Sequence, residues 1–445
     1  MAEATQVEAP AKPSPEEKRA AAEAEVDALV KKGLKALDEF EKLDQKQVDR
    51  IVAKASVAAL NKHLVLAKMA VDETGRGLVE DKATKNIFAC EHVTHYMAGQ
   101  KTVGLIREDE VMGIDEVAEP VGVVAGVTPV TNPTSTAIFK SLLALKTRCP
   151  IVFGFHPGAQ KSSVAAAKIV RDAAIEAGAP ENCVQWIEHP SIEATGALMK
   201  HPGVATILAT GGPGMVKSAY SCGKPALGVG PGNVPCYIEK TAKLERACTD
   251  LMLSKTFDNG MICASEQAVI VDKEIAPAFE KYMKDNGCYF VDKEECEKLS
   301  NYVIDPAKQA VNPDVVGKKP VWIAAQAGFT VPEDTKILIA RLPAVGPEYP
   351  LSREKLSPVL AYYVVNSHEE GFERARQMLE MGGLGHSAVI HSSDDDLIRH
   401  YGEVMHVGRV IANSPSSQGA IGDIYNTNTP SLTLGCGSYG HNSTT

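Results

Sequence analysis

The sequence predicts two α/β lobes, each built on a parallel sheet, with a small additional β element. Three observations carry this. The 445 residues exceed what one compact core supports and suit two large lobes. Short apolar runs alternate with helical patterns through short loops, as parallel strands joined by right-handed crossovers do. Aromatics make up only 5% of the chain while Gly and Ala are plentiful, which suits closely packed helix–sheet layers.

Residues 1–15 are polar, acidic and Ala/Pro-rich, and read as a disordered leader rather than a signal peptide. From Pro15 to Phe40 apolar residues recur at helical spacing (Val26, Leu29, Val30, Leu34, Leu37), and helical composition continues to about Met97. Residues 103–119 are mixed and acid-rich, and predict a β-hairpin or extended arm. Strands follow at Val121–Val127, Ile151–Phe155, Val184–Ile187, Thr206–Ala209 and Val234–Ile238. Helices over Pro133–Leu145, Ser162–Gly178, Ile192–Lys200 and Gly214–Tyr220 separate them. This is the pattern of a dinucleotide-binding lobe, expected over 16–102 and 120–240.

From Leu244 the alternation restarts with a helix, the loop Asp258–Ser265, strand Ala268–Val271 and helix Ile275–Asp285. Strand Val359–Val365, helix Phe372–Met381, strand Ser387–Ile390 and helix Asp395–Val404 follow. A second lobe is therefore expected over 241–429. The tail from Ser414 is rich in Gly, Ser, Thr and Asn, with one short strand at Ser431–Leu434. Residues 430–445 are grouped with 103–119 as the small β element.

The net charge of −10, with no Lys/Arg cluster, argues against a nucleic-acid face. Anionic cofactors remain compatible, because helix N-termini hold phosphates with backbone N–H groups. The run Val121–Val127 is far shorter than the ~20 residues of a membrane helix. The ten cysteines contain no C-x-x-C pair, so no metal site is expected, and they read as reduced thiols in a cytoplasm.

The segment Phe257-Asp258-Asn259-Gly260-Met261-Ile262-Cys263-Ala264-Ser265-Glu266-Gln267 carries the chemistry. Asn259-Gly260 forces a turn, and a strand begins at Ala268. That setting presents Cys263 at a cleft as a nucleophile; the alternative is a small buried residue.

This segment resembles the nucleophile region of the aldehyde dehydrogenase superfamily, and within it the CoA-acylating branch. The likeness extends through Glu119-Pro120-Val121-Gly122, Thr128-Pro129-Val130-Thr131-Asn132-Pro133, Ala209-Thr210-Gly211-Gly212-Pro213-Gly214 and Gly228-Val229-Gly230-Pro231-Gly232-Asn233. It continues through Glu354-Lys355-Leu356-Ser357-Pro358, Gly382-Gly383-Leu384-Gly385-His386 and Ser431-Leu432-Thr433-Leu434-Gly435-Cys436-Gly437. The resemblance implies an aldehyde dehydrogenase-like fold: two parallel-sheet, Rossmann-type lobes and a small β oligomerisation element. No G-x-G-x-x-G follows the first strand, and the family binds its cofactor without it.

By this resemblance Cys263 attacks the carbonyl, and Asn132 stabilises the resulting alkoxide. The alternative for Asn132 is an Asx turn or a helix N-cap. The cofactor, expected to be NAD(H), would meet Val127, Thr128, Pro129, Asn132, His156, Gly211, Gly212, Gly214, Gly230, Glu354 and Leu434. Glu354 would hold the nicotinamide ribose. His156 stands where hydrolytic members carry a ribose-binding Lys. His386 would accept a proton from, or contact, the incoming coenzyme A, or would be a strand-start histidine bonded to backbone. Glu266 would tune the thiol or form an ion pair. Gly228 stands where hydrolytic members carry a water-activating Glu, so the acyl group is expected to wait for CoA.

The implied reaction is aldehyde + CoA + NAD ⇌ acyl-CoA + NADH, with acetaldehyde as the expected aldehyde. The implied assembly is a homodimer or larger homo-oligomer. An iron-dependent alcohol dehydrogenase domain, which follows in the proteins the chain resembles, is expected to be missing here. The alternatives are a hydrolytic NAD-dependent aldehyde dehydrogenase giving free acid, a cysteine acyltransferase or hydrolase without redox, and an inactive filament-forming relative.

Overall fold

The computed structural model of the chain describes residues 14–434. The expected leader lies outside the described residues except for Ser14 and Pro15, and so does the tail from Gly435. Ser14 and Pro15 are not leader but helix start. The Ser14 hydroxyl accepts from Glu17 N–H while the Glu17 carboxylate accepts from Ser14 N–H, which satisfies two orphan donors of the first turn.

Five helices open the fold: α1 (Pro15–Phe40), α2 (Gln45–Leu60), α3 (His63–Thr74), α4 (Val79–Cys90) and α5 (His92–Ala98). Strands β1 (Gly104–Asp109) and β2 (Ile114–Ala118) pair antiparallel as a hairpin, within the arm expected over 103–119. Val111, Met112, Ile114 and Val117 on it are exposed.

Then β3 (Val123–Val127), α6 (Pro133–Lys146), β4 (Ile151–Gly154), α7 (Gln160–Glu176), β5 (Val184–Trp186), α8 (Ile192–Lys200), β6 (Val204–Thr210), α9 (Pro213–Tyr220) and β7 (Ala226–Val229) alternate. They form a parallel five-stranded sheet in the order β5-β4-β3-β6-β7. Every residue of β3 is buried, as a strand covered by helices on both faces requires. The winding direction reverses between β3 and β6. The loops leaving the C-terminal ends of these two strands diverge there and open a crevice. Lys140 of α6 lies fully buried beneath it. Its Nζ donates to the Val127 carbonyl at 2.6 Å, the Leu208 carbonyl at 2.8 Å and the Thr210 hydroxyl at 3.1 Å. One ammonium thus ties both strand ends to the helix between them.

The second lobe comprises β8 (Val234–Ile238), α10 (Leu244–Thr256), β9 (Glu266–Asp272), α11 (Ala276–Asp285), β10 (Cys288–Phe290) and α12 (Lys293–Val303). After the short ribbon β11 (Ile304–Asp305) and β12 (Ala310–Val311) come α13 (Pro320–Ala327), β13 (Ile337–Arg341), β14 (Val359–Val365) and α14 (His368–Glu380). The lobe closes with β15 (Ser387–His391), α15 (Asp395–Val404), β16 (Arg409–Ala412) and α16 (Ser416–Gly419). Its seven-stranded sheet has the order β10-β13-β14-β9-β8-β15-β16, with every neighbouring pair parallel and β9 at its centre.

Two expectations are corrected. The strand Val234–Ile238, assigned to the first lobe, pairs with β9 and β15 in the second sheet. The first sheet ends at β7, and the Gly230-Pro231-Gly232 stretch carries the chain across. Ser431–Leu434 is not a strand. The Ser431 hydroxyl accepts from Thr433 N–H at 2.9 Å and donates to the Thr433 carbonyl at 3.0 Å, a local turn, while Ser431 N–H donates to the Ile421 carbonyl at 2.8 Å. Among the described residues no helix is long and apolar enough to cross a membrane.

Candidate active site

A cavity of about 910 Å³ lies where the C-terminal ends of β3 and β6 face the segment that leads into β9. Cys263, Asn132, Val127, Thr128, Pro129, His156, Gly211, Gly212, Gly230 and Glu354 all line it. Three expected site residues do not. Gly214 faces an adjoining groove between α1, α8 and α9. Leu434 is buried in the core. His386 is wholly buried, its Nδ1 3.0 Å from the Ser387 hydroxyl. A Cβ on Gly232 would come within 3.1 Å of that same nitrogen, so His386 stands behind the cavity wall. Burial pushes its imidazole down to about 4, which keeps it neutral.

The loop Asp258–Ser265, which carries Cys263, is built against its own backbone preference. Asp258, Asn259 and Gly260 have φ values of 50°, 52° and 71°, and only the last is a glycine. Each strained non-glycine residue costs about 1–3 kcal/mol, so the surroundings must hold the loop. Leu78 N–H donates to Asp258 Oδ1 at 2.7 Å, Asp258 N–H donates to Asp81 Oδ2 at 2.7 Å, and Asn259 Nδ2 donates to the Gly317 carbonyl at 3.0 Å. A Cβ on Gly260 would come within 2.8 Å of the Ser357 carbonyl oxygen. So clamped, the loop delivers a partly exposed Cys263 to the cavity. Its carbonyl packs on Gly232, where a Cβ would lie 2.1 Å away.

Burial pushes the Cys263 thiol up to about 12; the nearby Glu354 charge adds to this, and Lys85 opposes it. Lys85 belongs to a buried cluster that the sequence did not reveal. Its Nζ donates to Asp258 Oδ2 at 2.6 Å and to Asn132 Oδ1 at 2.7 Å. Lys82, one helical turn earlier on α4, donates to Asp258 Oδ2 at 3.0 Å and to the Thr131 carbonyl at 2.8 Å. Burial alone would raise the Asp258 carboxyl, but the two ammonium groups over-compensate and hold it below its ordinary range. Asn132 precedes α6 without making a side-chain cap bond. Its Nδ2 instead reaches the Met261 carbonyl at 3.4 Å, two residues before Cys263.

The remaining walls fit a dinucleotide. The buried Thr128 hydroxyl has no protein partner, and α9 starts at Gly212 with no side-chain cap. Glu354 Oε1 accepts from Gly232 N–H at 2.8 Å, and burial pushes its carboxyl up to about 7. His156 accepts from Gly158 N–H through Nδ1 at 3.0 Å; burial and the adjacent Arg76 charge lower its imidazole. Glu73, on α3, was not anticipated: it lines the cavity and accepts from Lys161 and Ser162 N–H at 2.8 and 2.7 Å, capping α7. Glu73 and Arg76 carry no local motif, so nothing in the sequence marks them. Glu266 hydrogen-bonds to Ser254 and Ser416, joining α10 and α16 to β9. At Gly228 a Cβ would meet the Val216 and Tyr220 side chains at 3.0 Å, so a larger residue there would require these two to give way slightly.

The sequence profile described as "Aldehyde dehydrogenase family" matches residues 3–287. The aldehyde-alcohol dehydrogenase of Streptococcus pneumoniae serotype 4 is 62% identical over 437 residues, 97% of this chain and 50% of that protein. The chain thus spans about half the length of such relatives. The crystal structure of an acetylating aldehyde dehydrogenase from Geobacillus thermoglucosidasius superposes with a TM-score of 0.91 at 46% identity, covering 95% of this chain and 92% of that one. A Rhodopseudomonas palustris propionaldehyde dehydrogenase with bound propionyl-CoA gives 0.80 at 31% identity, covering 92% and 89%.

Replacing Asp258 by Ala strands two buried ammonium groups, and a loss of about 3–5 kcal/mol in urea unfolding is expected. Because the Asp258 carboxyl is depressed in the fold, its contribution is complete above the ordinary carboxylate pKa of about 3.9 and is lost as pH falls through its lower folded value. The D258A variant should therefore show a shallower acid limb than wild type. Equal stability and equal acid limbs in the two proteins would contradict this reading of the cluster.

Proposed function

The chain belongs to the aldehyde dehydrogenase family, and on that premise we propose that it interconverts acetaldehyde and acetyl-CoA through a thioester on Cys263, with NAD(H) as redox partner. The observation that carries this is a cysteine and an asparagine sharing one cavity wall, in a chain with no carboxylate at position 228. Cys263 gives up its thiol proton to solvent, its Sγ bonds to the carbonyl carbon as the C=O π bond opens, and the oxygen takes up the negative charge. Asn132 Nδ2 and the Cys263 backbone N–H donate to that oxygen. When bound, the nicotinamide supplies a hydride acceptor in one direction and a donor in the other. Cys263 is left carrying the acyl group as a thioester. Of the two carboxylates on the cavity wall, Glu73 has both oxygens engaged on α7 and Glu354 is held by Gly232. Position 228, where hydrolytic relatives carry the water-activating Glu, is Gly here, so the thioester awaits the CoA thiol. The CoA-bound relative supports this reading.

Three features support finer points. Glu73 fills the N-terminal amides of α7 beside His156, so a second phosphate on the cofactor ribose would meet a carboxylate rather than free donors. Neutral His156 adds no compensating charge. This favours NAD over NADP. The exposed apolar residues of the β1–β2 hairpin support a homodimer or larger assembly. The nine cysteines among the described residues are free, which supports a reducing, cytoplasmic setting. Alcohol formation is assigned to the further length that the aldehyde-alcohol dehydrogenases carry.

NADH oxidation driven by acetyl-CoA should proceed with the wild type and fall by roughly 10³-fold or more in Cys263→Ala. Activity that survives this change would remove Cys263 from the chemistry. Glu73→Ser should raise kcat/KM for NADP relative to NAD by about tenfold, the upper range for one charge at a helix terminus; an unmoved ratio would refute the role of Glu73. Light scattering should show an oligomer that shifts to smaller mass in Ile114→Lys with Val117→Lys, and a wild-type monomer would rule out assembly through the hairpin.

A further inference from the structure

We propose that Lys85 is a positioning residue for the oxyanion step: it fixes which face of the Asn132 amide meets the substrate. The inference rests on the reading of Asn132 as oxyanion donor.

An ammonium has only protons to offer, so the atom of the Asn132 amide that meets Lys85 Nζ at 2.7 Å must be the oxygen. With Oδ1 held there, Nδ2 is turned the opposite way, toward the Met261 carbonyl and the nucleophile loop. The other contacts of Nδ2 set this orientation less firmly: the Thr131 hydroxyl at 3.2 Å could accept from or donate to the amide, and the Met261 carbonyl is 3.4 Å away. A flipped amide would present its oxygen to the forming alkoxide and repel it.

Lys85 is itself immobilised. Its side chain is 3% exposed, and its Nζ is paired with Asp258 at 2.6 Å and lies 5.3 Å from the centre of the Phe257 ring. Asp258 and Phe257 belong to the loop that carries Cys263, so one ammonium references the oxyanion donor to the nucleophile. Its charge also favours the thiolate of Cys263.

The test compares wild type, Lys85→Met, Lys85→Arg, Asn132→Ala and the double variant Lys85→Met with Asn132→Ala. Aldehyde oxidation is followed with NAD and CoA present. Lys85→Met should lower kcat roughly 10- to 100-fold, below the full 10²–10³ of a lost oxyanion donor, with little change in KM. Lys85→Arg, which keeps the charge and a donor, should recover part of this. In the Asn132→Ala background, Lys85→Met should cost less than about threefold more, because the two act as one unit. In cofactor-free protein, iodoacetamide labelling of Cys263, read by peptide mass, should slow several-fold in Lys85→Met. Independent, multiplying losses in the double variant, or unchanged kcat and labelling in Lys85→Met, would overturn the proposal. Unchanged kcat in Asn132→Ala would instead overturn the oxyanion reading beneath it. If Lys85→Met does not fold, Lys85→Arg and Lys85→Gln carry the same comparison.

Discussion

The site depends on one buried carboxylate. Asp258 sits in a left-handed conformation that a glycine would enter at less cost, in a place where an isolated charge is prohibitive. It is tolerated because two lysines from α4 and the Leu78 amide converge on it. The same contacts that neutralise the charge also determine where the loop carrying Cys263 runs. A buried pair of this sort adds little net stability over an apolar replacement, but it makes one geometry far better than its neighbours. The geometry selected brings Cys263 and Asn132 to the same cavity wall.

Around that node the two sheets divide the work. The parallel sheet of the first lobe reverses its winding between β3 and β6, and the resulting crevice offers uncapped backbone donors at α9. The second lobe delivers the thiol on the segment entering its central strand β9. Neither lobe alone holds a complete site. Helix α4 packs with the first lobe while its lysines grip the loop of the second, so the relative placement of the two halves is written into Asp258 and its partners.

Much of this was legible in the chain. Strand–helix alternation is a local pattern, and it predicted four of the five strands of the first sheet with errors of a few residues, but not β7 (Ala226–Val229). The Gly260 turn flagged Cys263, whereas Asn132, which reads locally as an Asx turn or N-cap, was pointed to by the family resemblance. What stayed hidden was non-local. Lys82 and Lys85 lie among Glu80, Asp81 and Thr84, the composition of an ordinary solvated helix, and their partner Asp258 is more than 170 residues away. The strand Val234–Ile238 reads identically whichever sheet it joins. Its membership is fixed by pairing with β9 and β15, which local periodicity does not encode. His386 looked accessible because its loop is glycine-rich. One of those glycines serves close backbone approach instead: a Cβ on Gly383 would come within 2.9 Å of Asn233 N, and the histidine is enclosed.

The central claim is that Cys263 holds an acyl group that only a thiol removes. Mass analysis of the protein after mixing with acetaldehyde and NAD, before and after adding CoA, addresses it most directly. The account predicts one acetyl group on the peptide carrying Cys263, persisting without CoA and cleared when CoA is added. Continued NADH formation without CoA, with no adduct at Cys263, would contradict it.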